Sequence, residues 1–533
     1  MTEGDAGEDS TPTSAATSDV ALPVAKEPVY GGVLRYGIEA DSLNPWTPQN
    51  TVPAVSGHMV LRSVFDPLAL PNNDLEVKGN LLSRIEHNAD YTRWTLTVRP
   101  NIVFHDGTPL DGAAVADNLE RHRRSFISGN ILAEVVDVEF DDMSVTVTTA
   151  RPWVAFPTVL TGQVGYMASP TWLAAVDDDP TLATAPVGTG PFMFESYMPG
   201  ISFSAVRNPS YWRAGLPYLD RIEFVVLRNV QERAERLESG DIDVFHTANG
   251  DEIAKWRGRL ADYTLVESAE FGETQYVLLN SGNPASPLSD ITVRTAMAMA
   301  LDYELIETAR SGGLFLDANG PFPPGTPGYL IDTGYPAHDP DAAKALVDAW
   351  ESDNGDLAIT FKTTTDEFNL LTAEMLESMW EAVGIDVTIE QIDQSRYIGA
   401  ALVGDFEAYF WRQHSGFDPD EQLVWWSSRT VADYGSVGLN FARIADPEID
   451  ANLDIIRTSS DESERTAAAE AINERFAKQV YHLWLGWAIW GIVAQSDVQD
   501  LITGFALPNG EPVLPTGVGI GGTHQLAQIW LDR

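Results

Sequence analysis

The stretch RIEFVVLRNVQERAERLESGDIDVFHT, Arg221 to Thr247, decides the fold class. Ile222, Phe224 and Val226 recur at every second position, the period of a strand with one face on a core. Glu232 to Ser239 reads as a helix stopped by Gly240, and Ile242-Val244 starts another strand. Strand, helix and strand in immediate succession form a β-α-β unit, the repeating element of an α/β layer.

The same grammar holds in both directions along the chain. Upstream, Val33 to Glu39 alternates before the Asn44-Pro45 breaker, and Trp94-Leu96-Val98 alternates into a turn at His105-Asp106-Gly107-Thr108-Pro109. Asp111 is placed to cap a following helix that carries Ala113, Val115, Ala116 and Leu119, and Val145-Val147 closes a further strand. Downstream, Tyr276 to Asn280 and the helix Ile291 to Leu301 precede a Pro/Gly-rich loop at Asn319 to Tyr335 and a helix at Asp339 to Trp350. Leu357 to Phe361, the helix Leu370 to Val383 and Ile385 to Ile389 repeat the β-α-β unit, and Glu448 to Val480 has helical spacing.

At 533 residues the chain is too long for one ordinary domain. Its formal charge of -45 repels phosphate backbones and anionic headgroups, so nucleic acid and direct membrane-surface binding are excluded as partners. With no cysteine there is no disulfide framework, thiolate metal site or Cys nucleophile. The nine histidines form no metal-ligand motif, Gly188-Thr189-Gly190-Pro191 lacks the Lys-Ser/Thr of a phosphate loop, and no Gly-x-Ser-x-Gly elbow occurs, so no metal, cofactor or catalytic residue is expected. No apolar run approaches the length of a spanning helix. Residues 1–28, acidic and rich in Ser, Thr, Ala and Gly, have the composition of a disordered tether.

Five segments fall in one order: GGVLRYGIEADSLNPW (Gly31 to Trp46), TRWTLTVRPNIVFHDGTPLDG (Thr92 to Gly112), VGTGPF (Val187 to Phe192), NPSYWRAGLPYLDRIEF (Asn208 to Phe224) and LESGDIDVFHT (Leu237 to Thr247). Together they resemble the family-5 extracellular solute-binding proteins, the ligand-capturing subunits of bacterial dipeptide, oligopeptide, nickel and some oligosaccharide ABC importers. The resemblance implies an α/β two-lobed periplasmic-binding-protein clamshell, type II-like and of the large cluster C form, with an extra inserted subdomain. On this reading lobe I comprises 29–46, 181–268 and 486–533, the insertion 47–180 and lobe II 269–485. It further implies an extracytoplasmic, monomeric protein, periplasmic or held at the cell surface by a lipidated cysteine upstream of Met1. Its partners would be a peptide-like or oligosaccharide solute and the ABC permease subunits. A hydrolytic enzyme or a chemosensory receptor on the same scaffold is the alternative.

For the site, the segment Gly404 to Asp420 looks like the family's G-W-x-x-D-x-x-D-P strand and loop, whose first Asp holds the α-ammonium of a bound peptide. Trp411 and Asp418-Pro419 match, but the loop is one residue longer and the place of that Asp falls at Gln413 or His414. A neutral amide or imidazole cannot supply the charge-assisted bond a buried ammonium requires. In dipeptide binders an Arg near the start of the helix matching Leu370 to Val383 takes the carboxylate, yet this chain reads Asn369-Leu370-Leu371-Thr372. With neither anchor evident, the expectation is an oligopeptide or an uncharged-end solute such as an oligosaccharide, in preference to a free dipeptide. The substrate-binding candidates are Trp411, His414, Phe417, Asp418, Trp425, Trp484 and Trp487, with Phe245, His246 and Thr247 at the end of a strand that opens on a crevice. Each has a plainer reading: any one Trp can be core, Trp484-Trp487 can be a packed helical or irregular face, Asp418 can cap the helix Glu421 to Trp426, and the three strand-end residues can form an ordinary turn. His105 reads as scaffold and Arg294 as an inter-element salt bridge.

Overall fold

A computed structural model describes residues 26–533 except 43–45, 366, 415 and 516–519, so most of the expected tether lies outside the described residues. In chain order the strands are β1 (Val33–Ile38), the hairpin β2 (Ala69–Pro71) and β3 (Val77–Gly79), β4 (Leu82–His87), β5 (Arg93–Val98), β6 (Val135–Asp141), β7 (Ser144–Thr149), β8 (Phe192–Met198), β9 (Ser202–Arg207) and β10 (Arg221–Val226). They continue with β11 (Val244–Thr247), β12 (Tyr263–Leu279), β13 (Ala358–Thr364), β14 (Asp386–Ile392), β15 (Ala408–His414), β16 (His482–Gln495), β17 (Val498–Gln499) and β18 (Trp530–Leu531). Ten of them form one sheet in the order β14-β13-β15-β12-β16-β11-β1-β10-β9-β8.

The stretch that set the fold class becomes β10, a helix Val230–Ser239 and β11, with β1 inserted between the two strands and parallel to both. Gly240 ends the helix in the left-handed region, φ 77°. β13, the helix Glu367–Ala382 and β14 form the second unit, again parallel. Two strands join these halves. The N-terminal part of β12 pairs with Trp490 to Gln495 of β16 and its C-terminal part with His482 to Ala488, with register breaks between Ser268 and Glu273 and between Gln275 and Tyr276.

Apolar side chains gather in separate cores on either side of that crossing. One contains Leu34, Tyr36, Phe203, Ile222, Phe224, Val244, Ile492 and Ile529. A second contains Val277, Leu279, Val293, Met297, Phe361, Leu376, Trp380 and Leu483, with an aromatic-rich neighbour around Tyr409, Phe441, Phe476 and Trp484. A third fills the small sheet β4-β5-β7-β6 and its helix Gly112–Arg124, which Asp111 caps by accepting the Ala114 N–H at 2.9 Å. Two helices within the stretch 47–180 pack away from this third core. Met59, Leu61 and Val64 of the helix Val55–Val64, and Tyr166, Trp172 and Leu173 around the helix Pro170–Asp178, pack into the first core, not the third.

His105 does scaffold work: its Nε2 lies 3.0 Å from the Gly190 carbonyl, and the Gly188 N–H donates to its Nδ1 at 3.3 Å. Gly188 and Gly190 are required there because a Cβ on either would collide with the Val64 backbone. The helical stretch Glu448 to Val480 is two helices, Pro447–Thr458 and Glu462–Gln479, the second capped by Asp461. Among the described residues Arg294 makes no salt bridge; its guanidinium instead donates to the carbonyls of Leu288, Ser289, Gln479 and Val480, ending a helix whose last C=O groups lack partners.

Candidate functional site

Where the lobes meet, strands distant in sequence bring charges of both signs together. Glu273 on β12, 2% exposed, stands directly across the ladder from His414 at the end of β15. Arg412 Nη1 lies 3.4 Å from one Glu273 oxygen and His414 Nε2 3.8 Å from the other. Glu39 arrives from the end of β1; burial alone would raise its carboxyl, but the Arg412 charge, helped by His246, Arg233 and His414, holds it below the usual carboxylate range. Burial lowers the His414 imidazole against the pull of Glu273, and holds His246 down at about 4.

Beside this junction lies a narrow cavity of about 10 Å³, room for roughly one water molecule, between β12, β15 and β16. Its walls include Thr274, Tyr276, Gln413, His414, Trp426 and Trp484. The Tyr276 hydroxyl donates to Gln413 at 2.9 Å, and Gln413 in turn donates to Gln422. The Trp484 and Trp490 indole N–H groups are buried without acceptors among the described residues.

Near the places where the sequence shows no anchor, charges arrive from other elements. Glu273 lies on the strand beside Gln413 and His414. Arg310, on the helix Tyr303–Ser311, donates to Thr372 Oγ1 and to Gln275, each at 2.6 Å. Both groups are brought there by topology and not by local sequence.

Of the ten candidates, His414 and Trp484 line the cavity. His246 lies beneath the junction, 0% exposed, with Nε2 3.3 Å from Ser56 Oγ and its ring 5.5 Å from Trp490. Phe245 points the other way, into a core with Leu237 and Trp256, and Thr247 accepts the Asn249 N–H at 3.0 Å in a turn. Adjacent strand residues face opposite sides, so these three could not share one crevice. Trp411 stacks on Tyr397 and Tyr409, and Trp425 packs on Phe441. Trp487 meets Tyr329 edge-on. The spacing of three between Trp484 and Trp487 is neither helical nor irregular: both lie on β16, and the register break opposite Gln275 and Tyr276 turns them into the same aromatic core.

The lengthened loop is a structural device. Phe417 is buried against Leu514, Leu75 and Val77. Asp418 caps a 3-10 turn Pro419–Gln422 in a capping box with Glu421, the helix proper being Leu423–Trp426, and is held by both oxygens to Arg465 Nη2 at 2.6 and 2.7 Å. Glu421 accepts the N–H groups of Phe417 and Asp418 at 3.1 and 3.2 Å. Burial pushes its carboxyl up to about 8, and the Asp418 and Asp420 charges push the same way. The folded state therefore keeps a proton that the unfolded chain loses near 4.5, so this contribution is full below 4.5 and is lost as pH rises through about 8. The melting temperature is expected to fall across that window, and Glu421→Gln to flatten the fall; an identical slope in the variant would locate the titration elsewhere.

Residues 76–434 match the model of the bacterial extracellular solute-binding proteins, family 5. A protein of Escherichia coli named "probable D,D-dipeptide-binding periplasmic protein" is 25% identical over 398 residues, 73% of this chain and 75% of its own. The nickel-binding periplasmic protein of the same species is 24% identical over 464 residues, covering 82% and 86%. A periplasmic binding protein of Helicobacter pylori, solved with a peptide, superposes with a TM-score of 0.82 at 20% identity, over 95% of this chain and 99% of that one. The ordered motifs, the two-lobed α/β fold with its two crossing strands and the match over most of the length converge: this chain belongs to the family-5 bacterial extracellular solute-binding proteins.

Proposed function

We propose that this protein is the extracytoplasmic solute-capturing component of an ABC importer, a monomer that closes around one peptide-like solute and presents the closed form to membrane permease subunits. One observation carries the reading: a partly open junction between the lobes gathers Glu39, Arg412 and His414 around the buried Glu273, a set suited to a solute with ionic ends. The uncharged-end solute expected from the sequence suits it less well, because it would offer none of the charge-assisted bonds that these groups can make. Lobe I is assigned to 29–46, 181–268 and 486–533 together with the two helices recovered from the insertion, and lobe II to 269–485. A tether over 1–28, lipidated upstream, would keep the protein at the cell surface. Binding without chemistry fits relatives that are named for what they bind.

Closure is a hinge transition, and a solute drives it only by binding the closed state more tightly than the open one. Melting measured against panels of dipeptides, longer peptides and oligosaccharides should single out the peptides. A solute at roughly 100 times its dissociation constant should add about 2.7 kcal/mol. Small-angle scattering with that solute should show a smaller radius of gyration. An unchanged radius at saturation refutes the clamshell mechanism, and release of hydrolysis products would favour the enzyme reading.

A further inference from the structure

Arg62 sits in the last turn of the helix Val55–Val64, 4% exposed, and none of its three guanidinium nitrogens has a hydrogen-bond partner of ordinary geometry among the described residues. The helix C-terminus favours a cation there, but a dipole does not replace five N–H···O bonds. Buried charges are normally paired or ligate something. The groups around Arg62 bring it no negative charge: His58 one turn earlier, His524, and the Tyr166 hydroxyl, which lies near the guanidinium but makes no bond of ordinary geometry with it. Burial and the Arg62 charge keep His58 and His524 down at about 3, so both are neutral. His58 also senses His414 of lobe II, which places this group on the junction side of lobe I. The unpaired groups here are rich in donors, with the Trp490 indole N–H beyond them. What they lack is an acceptor that carries negative charge.

We propose that the solute bears a carboxylate that docks on Arg62, with the Tyr166 hydroxyl as a second donor. This rests on the solute-capture reading and makes Arg62 its lobe I specificity residue. The carboxylate answers a charge that is otherwise uncompensated, so this contact contributes to binding whether or not the lobes close.

The bare functional group is a sufficient probe. Acetate, titrated against chloride at constant ionic strength, is expected to raise the melting temperature of the wild type, and acetamide is not. Arg62→Met, similar in shape and uncharged, should melt higher than the wild type without acetate and bind acetate at least about tenfold more weakly. Arg62→Lys should keep part of the response. A wild type blind to acetate, or a Met variant that responds equally, overturns the anchor. So does a Met variant that melts lower, which would make the guanidinium a structural, water-bridged group. Acetate need not close the lobes, so this failure is separable from that of the transport reading: closure by a peptide without any acetate response keeps the importer and removes Arg62. Free-acid against C-terminally amidated peptides, and sugar acids against their parent sugars, then show which carboxylate is read.

Discussion

Replacing Asp420 with asparagine is expected to cost roughly 3–5 kcal/mol and to loosen the closed form, the largest effect of any single change outside the cores. Asp420 is 3% exposed and is gripped from two directions. Arg457 meets it as a fork, Nε to Oδ1 at 2.8 Å and Nη2 to Oδ2 at 2.9 Å. From the inserted subdomain the Trp153 indole N–H donates to Oδ2 at 2.8 Å, while the guanidinium lies 4.2 Å over that same indole ring. Val154 adds a backbone bond to the Arg457 carbonyl at 2.9 Å. Asparagine keeps the shape but leaves Arg457 buried and uncompensated. Urea denaturation should show the loss as a lower midpoint at an unchanged slope. Trp153→Phe removes the indole N–H bond to Asp420 while Val154 keeps its bridge to Arg457, so it should lower the midpoint less than Asp420→Asn does. A midpoint in Asp420→Asn within error of the parent would show that this contact carries little of the stability.

Trp411→Ala is expected to lower stability by about 3 kcal/mol and to leave affinity in the surviving folded fraction nearly normal. The Trp411 ring lies 5.8 Å from Tyr397 at an interplanar angle of 5°, 5.8 Å from Tyr409, and 5.1 Å edge-on from Phe441. Tyr397 and Tyr409 stack on each other at 4.1 Å, so the indole is one slab in a packed column. Truncation removes its dispersion contacts and opens a void that three rings cannot refill without leaving their rotamers. Lost affinity with normal melting would reverse this assignment and return Trp411 to the solute.

These cases show what could be read in advance. Local signals survived folding: the Asp111 cap, the Gly240 stop, the alternation of Ile222, Phe224 and Val226, and the turn role of His105 each depend on a few neighbouring residues. The charged junction did not survive as a sequence signal, because Glu39, Glu273 and Arg412 lie on three strands that only the sheet order brings together. Arg310 was invisible for the same reason, reaching Thr372 from another helix. Trp484 and Trp487 were misleading because a single register break alters which faces a spacing of three unites. Phe245 was an avoidable choice: strand alternation already sets it opposite Val244 and His246.

The two strands that pass from one lobe to the other also fix how force would travel through this molecule. β12 and β16 are covalently part of both lobes and are zipped to each other on either side of the crossing, so a load applied to one lobe reaches the other along two backbones and a shared ladder. A paired ribbon resists stretching and shearing far more than it resists twist, the deformation that strands already carry. The compliant places are the two breaks in its register, where ladder bonds are missing. The lobes are thus coupled like plates on a torsion bar, for which rotation about the ribbon is softer than stretch or shear.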